Sequence, residues 1–336
     1  MAPRAAILDT AGPELSPDER AFLREADPWG FILFARHVRD PAQLRRLTGD
    51  LREAVGREAP VLIDQEGGRV ARLRGPHWRD WARLPDLVAA LSGPRLAEAL
   101  TLRFRLIAHE LREAGVDVNC MPIADVAGPG THPIIADRAL GTSAAEVAAN
   151  ARAVADALLA GGVLPVVKHL PGHGAATADS HETLPVVAAD RDTLAARDFA
   201  AFRPLADLPL GMTAHVLYPA LDPDRPATLS PACIRAIREE IGFDGLLMTD
   251  DLLMRALSAP MGALAREALA AGCDMLLLCN ADRPTQEALL AETPRLAGRA
   301  AACAEAALAL RRAPPPFDPA AADARLAALM PEGAHA

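Results

Sequence analysis

Lysine is nearly absent from this chain of 336 residues: Lys168 is its only lysine, although lysine and arginine together number 35. An ammonium group is a compact point charge, whereas a guanidinium is larger and planar, so the two are not interchangeable where a ligand must fit. We therefore interpret Lys168 as a functional residue. The alternative is the chance survival of one lysine in an arginine-rich chain.

Other features are also missing, and each absence narrows the class of protein. The five cysteines are an odd number without a Cys-x-x-Cys pair, which argues against a disulfide framework or a cysteine zinc site and favours a reducing compartment. No uncharged apolar run approaches the ~18 residues that span a bilayer. The chain also has no room for an apolar signal region before Asp9. We expect a cytoplasmic protein whose oligomeric state the sequence leaves open.

The charge balance excludes two kinds of partner. With 44 acidic and 35 basic residues, the net charge is −9, and no basic stripe with interleaved aromatic residues occurs. A protein of this kind is a poor candidate for binding nucleic acid or an anionic membrane. The hydrophobic fraction of 51% is ample for a large core.

Eight short apolar segments recur along the chain and predict eight β-strands. They are too apolar for strands with one solvated face and are typical of a parallel sheet buried on both faces. The predicted strands are Ala5–Asp9, Gly30–Phe34, Val61–Asp64, Val116–Met121, Leu164–His169, Gly211–Val216, Leu246–Asp250 and Met275–Cys279.

The segments between these strands predict helices, and several begin with N-cap signals. The signals are Ser16-Pro17, Asp40-Pro41, Ser143 with Glu146, and Ser230-Pro231. Eightfold alternation predicts an α/β protein with one (β/α)₈ barrel domain over residues 1–336. A short tail from about residue 313 is expected to contain a helix over Ala320–Leu329 and a loose end over 331–336. An open doubly wound sheet is the alternative, but no Gly-x-Gly-x-x-Gly follows the first strand.

Polar side chains occur at or just after the carboxyl ends of six predicted strands. Because (β/α)₈ enzymes build their active sites at this end of the barrel, we expect these side chains to gather around one site. Strands often end in polar residues, so any one of them is weak evidence, but seven are harder to attribute to chance. The seven are Asp64, Asn119, Lys168, His169, His215, Asp250 and Asn280.

The richest motif is the loop from Lys168 to Pro185, which follows the fifth predicted strand. Its glycines allow tight turns, and the four small residues at 175–178 offer little to pack, so we expect a mobile loop. Its histidines and one aspartate are compatible with a metal site. They are equally compatible with an acid/base pair in which Asp179 orients His181 from two residues away.

Two further motifs supply candidate site residues. An apolar strand delivers Asp250 to the barrel mouth, and Asp251 beside it suits a structural role such as capping. After the third strand, Asp64 and Arg72 flank a Gly-Gly turn and can converge on one polar ligand. A salt bridge within that loop explains the pair equally well.

Taken together, these residues resemble a known family. Segment 168–185 is similar to the pattern Lys-His-Phe-Pro-Gly-His-Gly, four residues, Asp-Ser-His, two residues, Leu-Pro, the hallmark of glycoside hydrolase family 3 β-N-acetylhexosaminidases. Segments 64–69, 135–141, 213–219, 226–230 and 249–252 resemble the same family in the same order, so the resemblance covers roughly residues 5–310. Leu170 and Leu140 stand where the family usually has phenylalanine, and Thr249 stands where it commonly has serine.

The resemblance implies a retaining β-N-acetylglucosaminidase, most similar to the single-domain bacterial members that recycle cell-wall muropeptides in the cytoplasm. It implies that Asp250 is the nucleophile and that His181, supported by Asp179, is the acid/base. It also implies a set of sugar-binding residues. These are Asp64, Arg72, Arg138, Lys168 and His169. No metal and no cofactor are implied, and the expected partner is a small carbohydrate of the GlcNAc-anhydroMurNAc type.

Three rival functions stay open. A family 3 glycosidase of other specificity, such as a β-glucosidase, typically carries a glutamate acid/base on a second domain, for which this chain has no room. A metal-dependent barrel hydrolase is another rival, although the His-x-His usual at its first strand is absent. Its ligands would be His169, His173, His181 and Asp250. A sugar-binding protein without catalysis has no need for a nucleophile together with an acid/base.

Overall fold

The computed structural model describes residues 1–331 and forms a closed barrel of eight parallel strands. In chain order the strands are β1 (Arg4–Leu8), β2 (Pro28–Leu33), β3 (Val61–Ile63), β4 (Gln65–Gly67), β5 (Val70–Ala71), β6 (Val118–Asn119), β7 (Leu164–Leu170), β8 (Leu210–Thr213), β9 (Leu217–Tyr218), β10 (Asp222–Pro226), β11 (Leu246–Asp251) and β12 (Met275–Leu278). The barrel runs β1–β2–β3–β6–β7–β8–β11–β12 and closes between β12 and β1. The predicted (β/α)₈ fold is confirmed.

Helices follow the barrel strands and form the outer layer. They are α1 (Pro17–Ala26), α2 (Pro41–Val55), α3 (Leu84–Ala90), α4 (Gly93–Glu113), α5 (Pro133–Ala136), α6 (Ala144–Ala160), α7 (Arg191–Leu194), α8 (Ala200–Phe202), α9 (Pro231–Ala236), α10 (Met261–Ala271), α11 (Arg283–Glu292), α12 (Gly298–Ala309) and α13 (Pro319–Leu329). Short π-helical turns at Ala195–Phe199 and Ile237–Ile241 extend the helical segments beside α7 and α9. No helix within residues 1–331 is long and apolar enough to cross a membrane.

The predicted helix starts are confirmed at all four N-cap positions. In each case the side-chain oxygen of the cap accepts a hydrogen bond from the backbone N–H three residues later, which satisfies one of the free donors of the first turn. The caps are Ser16, Asp40, Ser143 and Ser230. The sequence therefore fixes where helices α1, α2, α6 and α9 begin.

Burial on both faces explains why the barrel strands show no polar alternation. In β1, Ile7 belongs to the cluster that fills the barrel interior, whereas Leu8 belongs to the cluster between the strands and the outer helices. The same alternation runs around the barrel, with Val166 in the interior cluster and Val167 in the outer one.

Some strand boundaries differ from the prediction. The fourth barrel strand, predicted over Val116–Met121, is regular only at Val118–Asn119, and Pro122 shortly after it has no N–H to donate. Pairing continues beyond it, since Lys168 donates its backbone N–H to the Pro122 carbonyl at 3.0 Å. The short antiparallel pairs β4–β5 and β9–β10 were not predicted.

The C-terminal segment returns to the barrel surface. The tail helix predicted over Ala320–Leu329 is present as α13, and Leu326 and Leu329 are buried. Arg95 of α4 donates to the Leu329 carbonyl at 2.6 Å, which ties the end of α13 to the outer layer. From residue 332 onward, the predicted loose end lies outside the described residues.

Candidate active site

One cavity of about 300 Å³ opens at the carboxyl end of the barrel. Seven of the eight predicted site residues line it: Asp64, Arg72, Arg138, Lys168, His169, His181 and Asp250. The eighth, Asp179, contacts His181 directly. The structure therefore brings together residues within β7 and β11 and residues from the segments that follow β3, β6 and β7.

Lys168 lies at the centre of a buried charge cluster on one wall of this cavity. Its Nζ is 3.0 Å from Asp64 Oδ1 and 2.8 Å from Glu66 Oε1. Arg72 contacts the other Asp64 oxygen at 2.9 Å. Arg138 contacts both oxygens of Glu66 at 2.8 Å in a bidentate pair. Two carboxylates thus hold three cations in fixed positions. The ion pairs also orient those N–H groups of the cations that do not contact a carboxylate.

These contacts keep the cluster ionised despite its burial. Burial by itself would raise the pKa values of the Asp64 and Glu66 carboxyls, but the cations beside them hold both pKa values below the ordinary range. Burial would likewise lower the pKa of Lys168, and the adjacent carboxylates raise it instead. The wall therefore presents charged donors and acceptors, which suit the hydroxyl groups of a sugar.

Glu66 is a site residue that the sequence analysis missed. It stands two positions after Asp64 in a short extended segment, so both carboxylates can face the same side. That spacing was the available signal. The need for a second carboxylate appears only when Arg138, distant in the chain, is placed beside it.

The hairpin β4–β5 fixes the position of Glu66. Gly67 and Gly68 at its turn have positive φ values of 113° and 56°. A Cβ on Gly67 would lie 1.9 Å from Nη2 of the buried Arg103, which donates to the Glu66 carbonyl at 2.8 Å. Glycine is therefore required here both by backbone conformation and by the close approach of a side chain. Gln65 closes the hairpin from within by accepting from the N–H groups of Arg72 and Leu73.

A third carboxylate, Asp125, is fully buried and organises the base of the histidine loop. Its Oδ2 lies 2.6 Å from Nδ1 of His169, and its Oδ1 accepts from the backbone N–H of His173 at 2.6 Å. Burial would raise the pKa of Asp125, but His169 and His173 lower it to about 2. Asp125 was not among the residues predicted from the sequence. Its bond fixes the orientation of the His169 ring at the cavity wall.

The two adjacent aspartates at the end of β11 have different environments. Burial would raise the pKa of Asp250, but the nearby His215 and His169 lower it, so that its carboxylate is ionised in the cavity. Asp251 instead accepts from the backbone N–H groups of Leu253 and Cys279 through Oδ1, and burial raises its pKa to about 7. Both aspartates line the cavity, but Asp251 also holds the backbone N–H groups of Leu253 and Cys279, whereas Asp250 accepts from the N–H of Asp251 next to it.

His181 forms a close pair with Asp179 in the loop after β7. Oδ1 of Asp179 accepts from His181 Nδ1 at 2.8 Å and from its backbone N–H at 2.9 Å. Burial would raise the pKa of Asp179, and these bonds lower it. The side chain of His181 is 60% exposed and lines the cavity. Since Nδ1 bonds the carboxylate, Nε2 is the nitrogen that is free to exchange a proton.

The loop is better packed than its composition indicates. The expectation that residues 175–178 have little core contact is wrong for Ala176, which is fully buried and donates its N–H to the His173 carbonyl at 3.1 Å. Ser180 is also buried. Small residues pack here because the loop crosses close to other backbone: a Cβ on Gly174 would lie 2.0 Å from the Val126 carbonyl oxygen.

The remaining polar residues at strand ends divide between two roles. Asn280 lines the cavity. Asn119 is buried and exchanges two hydrogen bonds with the backbone of Gln65. His215 is buried and lies 2.9 Å from the Asp251 carbonyl through Nε2. The last two therefore hold the site residues in place instead of facing the cavity.

The residues of the metal-dependent alternative are not gathered as a ligand set. In the described part of the chain, no three side chains of histidine, cysteine, aspartate or glutamate are arranged to hold one metal ion. Two of the proposed ligands use Nδ1 for carboxylates, His169 with Asp125 and His181 with Asp179. His173 is buried and does not line the cavity.

Comparison with known proteins shows the family of this chain. The glycosyl hydrolase family 3 N-terminal domain matches residues 7–300. A β-hexosaminidase from Methylococcus capsulatus is 40% identical over 299 residues, which cover 87% of each chain. NagZ from Neisseria gonorrhoeae, solved with N-trifluoroacetyl-D-glucosamine, has a TM-score of 0.87 at 28% identity and covers 98% of each chain. A family 3 β-N-acetylglucosaminidase from Paenibacillus has a TM-score of 0.82 at 31% identity, over 94% of this chain and 62% of the other. The chain is a β-N-acetylhexosaminidase and belongs to glycoside hydrolase family 3.

Proposed function

We propose that this enzyme is a retaining β-N-acetylglucosaminidase that releases terminal non-reducing N-acetylglucosamine through a covalent intermediate on Asp250. The observation that carries the proposal is the cavity itself, which is lined both by an ionised aspartate and by a histidine paired with a carboxylate. A nucleophile and a proton-transfer group facing one pocket are what double displacement at an anomeric carbon requires.

In the first half-reaction, a carboxylate oxygen of Asp250 attacks the anomeric carbon. The bond from that carbon to the aglycone oxygen breaks, and His181 protonates the departing oxygen through Nε2. Asp179 holds the ring by Nδ1 and stabilises its protonated form. In the second half-reaction, His181 takes a proton from water, whose oxygen attacks the anomeric carbon and releases Asp250 as a carboxylate.

The charge cluster on the cavity wall is proposed to bind the N-acetylglucosamine ring. Its members are Asp64, Arg72, Arg138 and Lys168, with His169 beside them. Their mutual ion pairs orient the groups before substrate arrives, so that little ordering is needed on binding. Glu66 contributes by holding Lys168 and Arg138, and it is almost fully buried itself.

We further propose that the natural substrates are cytoplasmic muropeptides of the GlcNAc-anhydroMurNAc type, cleaved during cell-wall recycling. The resemblance of the sequence motifs to single-domain family 3 members that recycle muropeptides supports this substrate class. NagZ, which is similar over nearly the whole chain, was solved with an N-acylglucosamine, N-trifluoroacetyl-D-glucosamine. Five unpaired cysteines, four of them buried, are compatible with a reducing compartment. The chemistry assigned to Asp250 and His181 calls for no metal or cofactor, and the proposed partner is a small carbohydrate and neither nucleic acid nor membrane.

Turnover of chromogenic glycosides tests the activity directly. The enzyme should cleave an aryl N-acetyl-β-glucosaminide much faster than the matching β-glucoside, and should release N-acetylglucosamine from a GlcNAc-anhydroMurNAc peptide. His181→Ala should lose most activity toward poor leaving groups and be partly spared for an activated aryl group, which departs without protonation. With the activated substrate, a pre-steady-state burst should appear because deglycosylation becomes limiting. Equal loss of the glycosylation rate for good and poor leaving groups would assign the acid role to another residue.

A further inference from the structure

Ser180, which lies between the proposed acid/base and its supporting aspartate, makes two contacts away from the cavity. It is 5% exposed, whereas the side chain of His181 is 60% exposed. Its Oγ lies 3.4 Å from Nε2 of His173. Its backbone carbonyl accepts from Ala256 N–H at 3.2 Å, in the segment that follows Asp250. Ser180 therefore connects the loop after β7 to His173 and to the segment that follows β11.

His173 in turn is fixed to the base of the loop. Its backbone N–H donates to Asp125 at 2.6 Å, and its ring packs edge-on to His169 with the centroids 5.8 Å apart. Burial lowers the pKa of His173 to about 4, so the ring is neutral near pH 7. Within residues 1–331 its Nδ1 has no hydrogen-bond partner. The bond to Ser180 is thus the one polar contact of this buried ring in that part of the chain.

We propose that Ser180 and His173 are positioning residues for acid/base catalysis, and that their hydrogen bond holds the loop so that His181 reaches the glycosidic oxygen. The inference rests on the proposed function of His181. A chain of contacts runs from Asp125 through His173 and Ser180 to the Asp179–His181 pair. Since a proton donor must lie within hydrogen-bond reach of the leaving oxygen, loosening any contact in this chain lowers the rate of protonation.

A merely structural role for these two residues predicts a different kinetic pattern. If the bond only stabilised the fold, its loss would lower the unfolding temperature and affect all substrates equally. If it positions His181, its loss acts on the step that needs the proton. The effect then depends on the leaving group and disappears once His181 is removed.

The test uses Ser180→Ala, which deletes the hydroxyl and leaves the backbone bond to Ala256. We expect kcat/KM to fall about 5- to 10-fold for a poor leaving group and less than about 2-fold for an activated aryl group, as expected for one lost hydrogen bond. Ser180→Thr, which keeps a hydroxyl, should restore most of the difference. Thr183→Ala removes an exposed hydroxyl from the same loop and is the matched control. In a His181→Ala background, Ser180→Ala should have no further effect.

If Ser180→Ala folds poorly, His173→Gln tests the same hydrogen bond from its other partner. This variant should show the same leaving-group dependence. Equal losses for both leaving groups, or an additive effect with His181→Ala, would overturn the inference. If His181→Ala itself shows no leaving-group dependence, the proposed function of His181 fails. If His181→Ala shows it and neither the Ser180 nor the His173 variant does, only the positioning role fails.

Discussion

Nζ of Lys168 lies 2.8 Å from Oε1 of Glu66, and both side chains are almost completely buried. The compact ammonium group of Lys168 makes a second contact, with Asp64. A guanidinium would bring a larger planar head into a space already occupied by Arg72 and Arg138. The single lysine of an arginine-rich chain thus stands where a guanidinium would crowd two other cations.

Lys168→Arg should therefore impair substrate binding although the charge is retained. We expect a loss of about 1–3 kcal/mol, as for a hydrogen bond to a charged group, seen as a higher KM for an aryl N-acetylglucosaminide. Steady-state kinetics and thermal unfolding measured together separate binding from folding. Arg46→Lys, on the exposed face of α2, is the control for exchanging the two cations. Unchanged kinetics in Lys168→Arg would mean that the lone lysine is an accident.

Asp250→Ala and Asp251→Ala should separate chemistry from stability. Loss of the nucleophile removes the covalent route, so Asp250→Ala should have no measurable turnover while its fold stays intact. Asp251→Ala deletes the acceptor of two backbone N–H groups and should cost about 1–3 kcal/mol of unfolding free energy. Activity assays and urea unfolding of both variants provide the comparison. An active Asp250→Ala beside an inactive Asp251→Ala would reverse the assignment.

Activity should survive exhaustive chelation. The proposed chemistry uses a carboxylate nucleophile and an imidazole acid/base, and the His181 ring is already bonded to Asp179. The measurement is the rate of aryl N-acetylglucosaminide hydrolysis before and after prolonged treatment with a strong chelator, with the metal content determined in parallel. A loss that added zinc reverses would favour the metal-dependent alternative.

Stability should fall as the pH drops from about 6.5 towards 4, in part because of His37. This ring is fully buried; its Nδ1 accepts from Phe34 N–H at 2.8 Å, and its Nε2 donates to the Thr10 carbonyl at 2.7 Å. Burial lowers its pKa to about 4. Over that pH interval the unfolded chain binds a proton that the folded chain does not, so acidification favours unfolding, by about 2 kcal/mol at pH 5.

Urea unfolding at pH 7 and pH 5 checks this expectation. His37→Gln removes the titrating ring, so the difference in unfolding free energy between the two pH values should become smaller. His77→Gln, at an exposed histidine, controls for loss of an imidazole. If His37→Gln keeps the full pH dependence of the wild type, the effect arises elsewhere.

The barrel could be predicted because its signals are local. Each strand is a short apolar run, and caps such as Ser16 and Asp40 bond within their own first turn. Polar residues at strand ends point to the site because parallel strands all end at the same rim. These patterns could not show which distant residue pairs with each buried charged side chain of the site.

Glu66 and Asp125 illustrate that limit. Glu66 contacts Arg138, which lies 72 residues away in the sequence, and Asp125 contacts His169, which lies 44 residues away. A carboxylate is mostly exposed in proteins unless it is paired, and the pairing depends on tertiary contacts that spacing along the chain does not reveal. Packing of the loop at Ala176 was missed for the same reason, because a small residue gives no sign of how closely other backbone approaches it.

The single lysine also gives the enzyme an unusual digestion behaviour. A lysine-specific endoprotease has one bond to cut in the whole chain, after Lys168, and that bond lies inside the buried barrel strand β7. The folded enzyme should resist such a protease, while each excursion to the unfolded state should yield two fragments of equal length, 1–168 and 169–336. The rate at which these halves appear would therefore report the opening of the barrel at β7, the strand that carries Lys168 and His169, without any label.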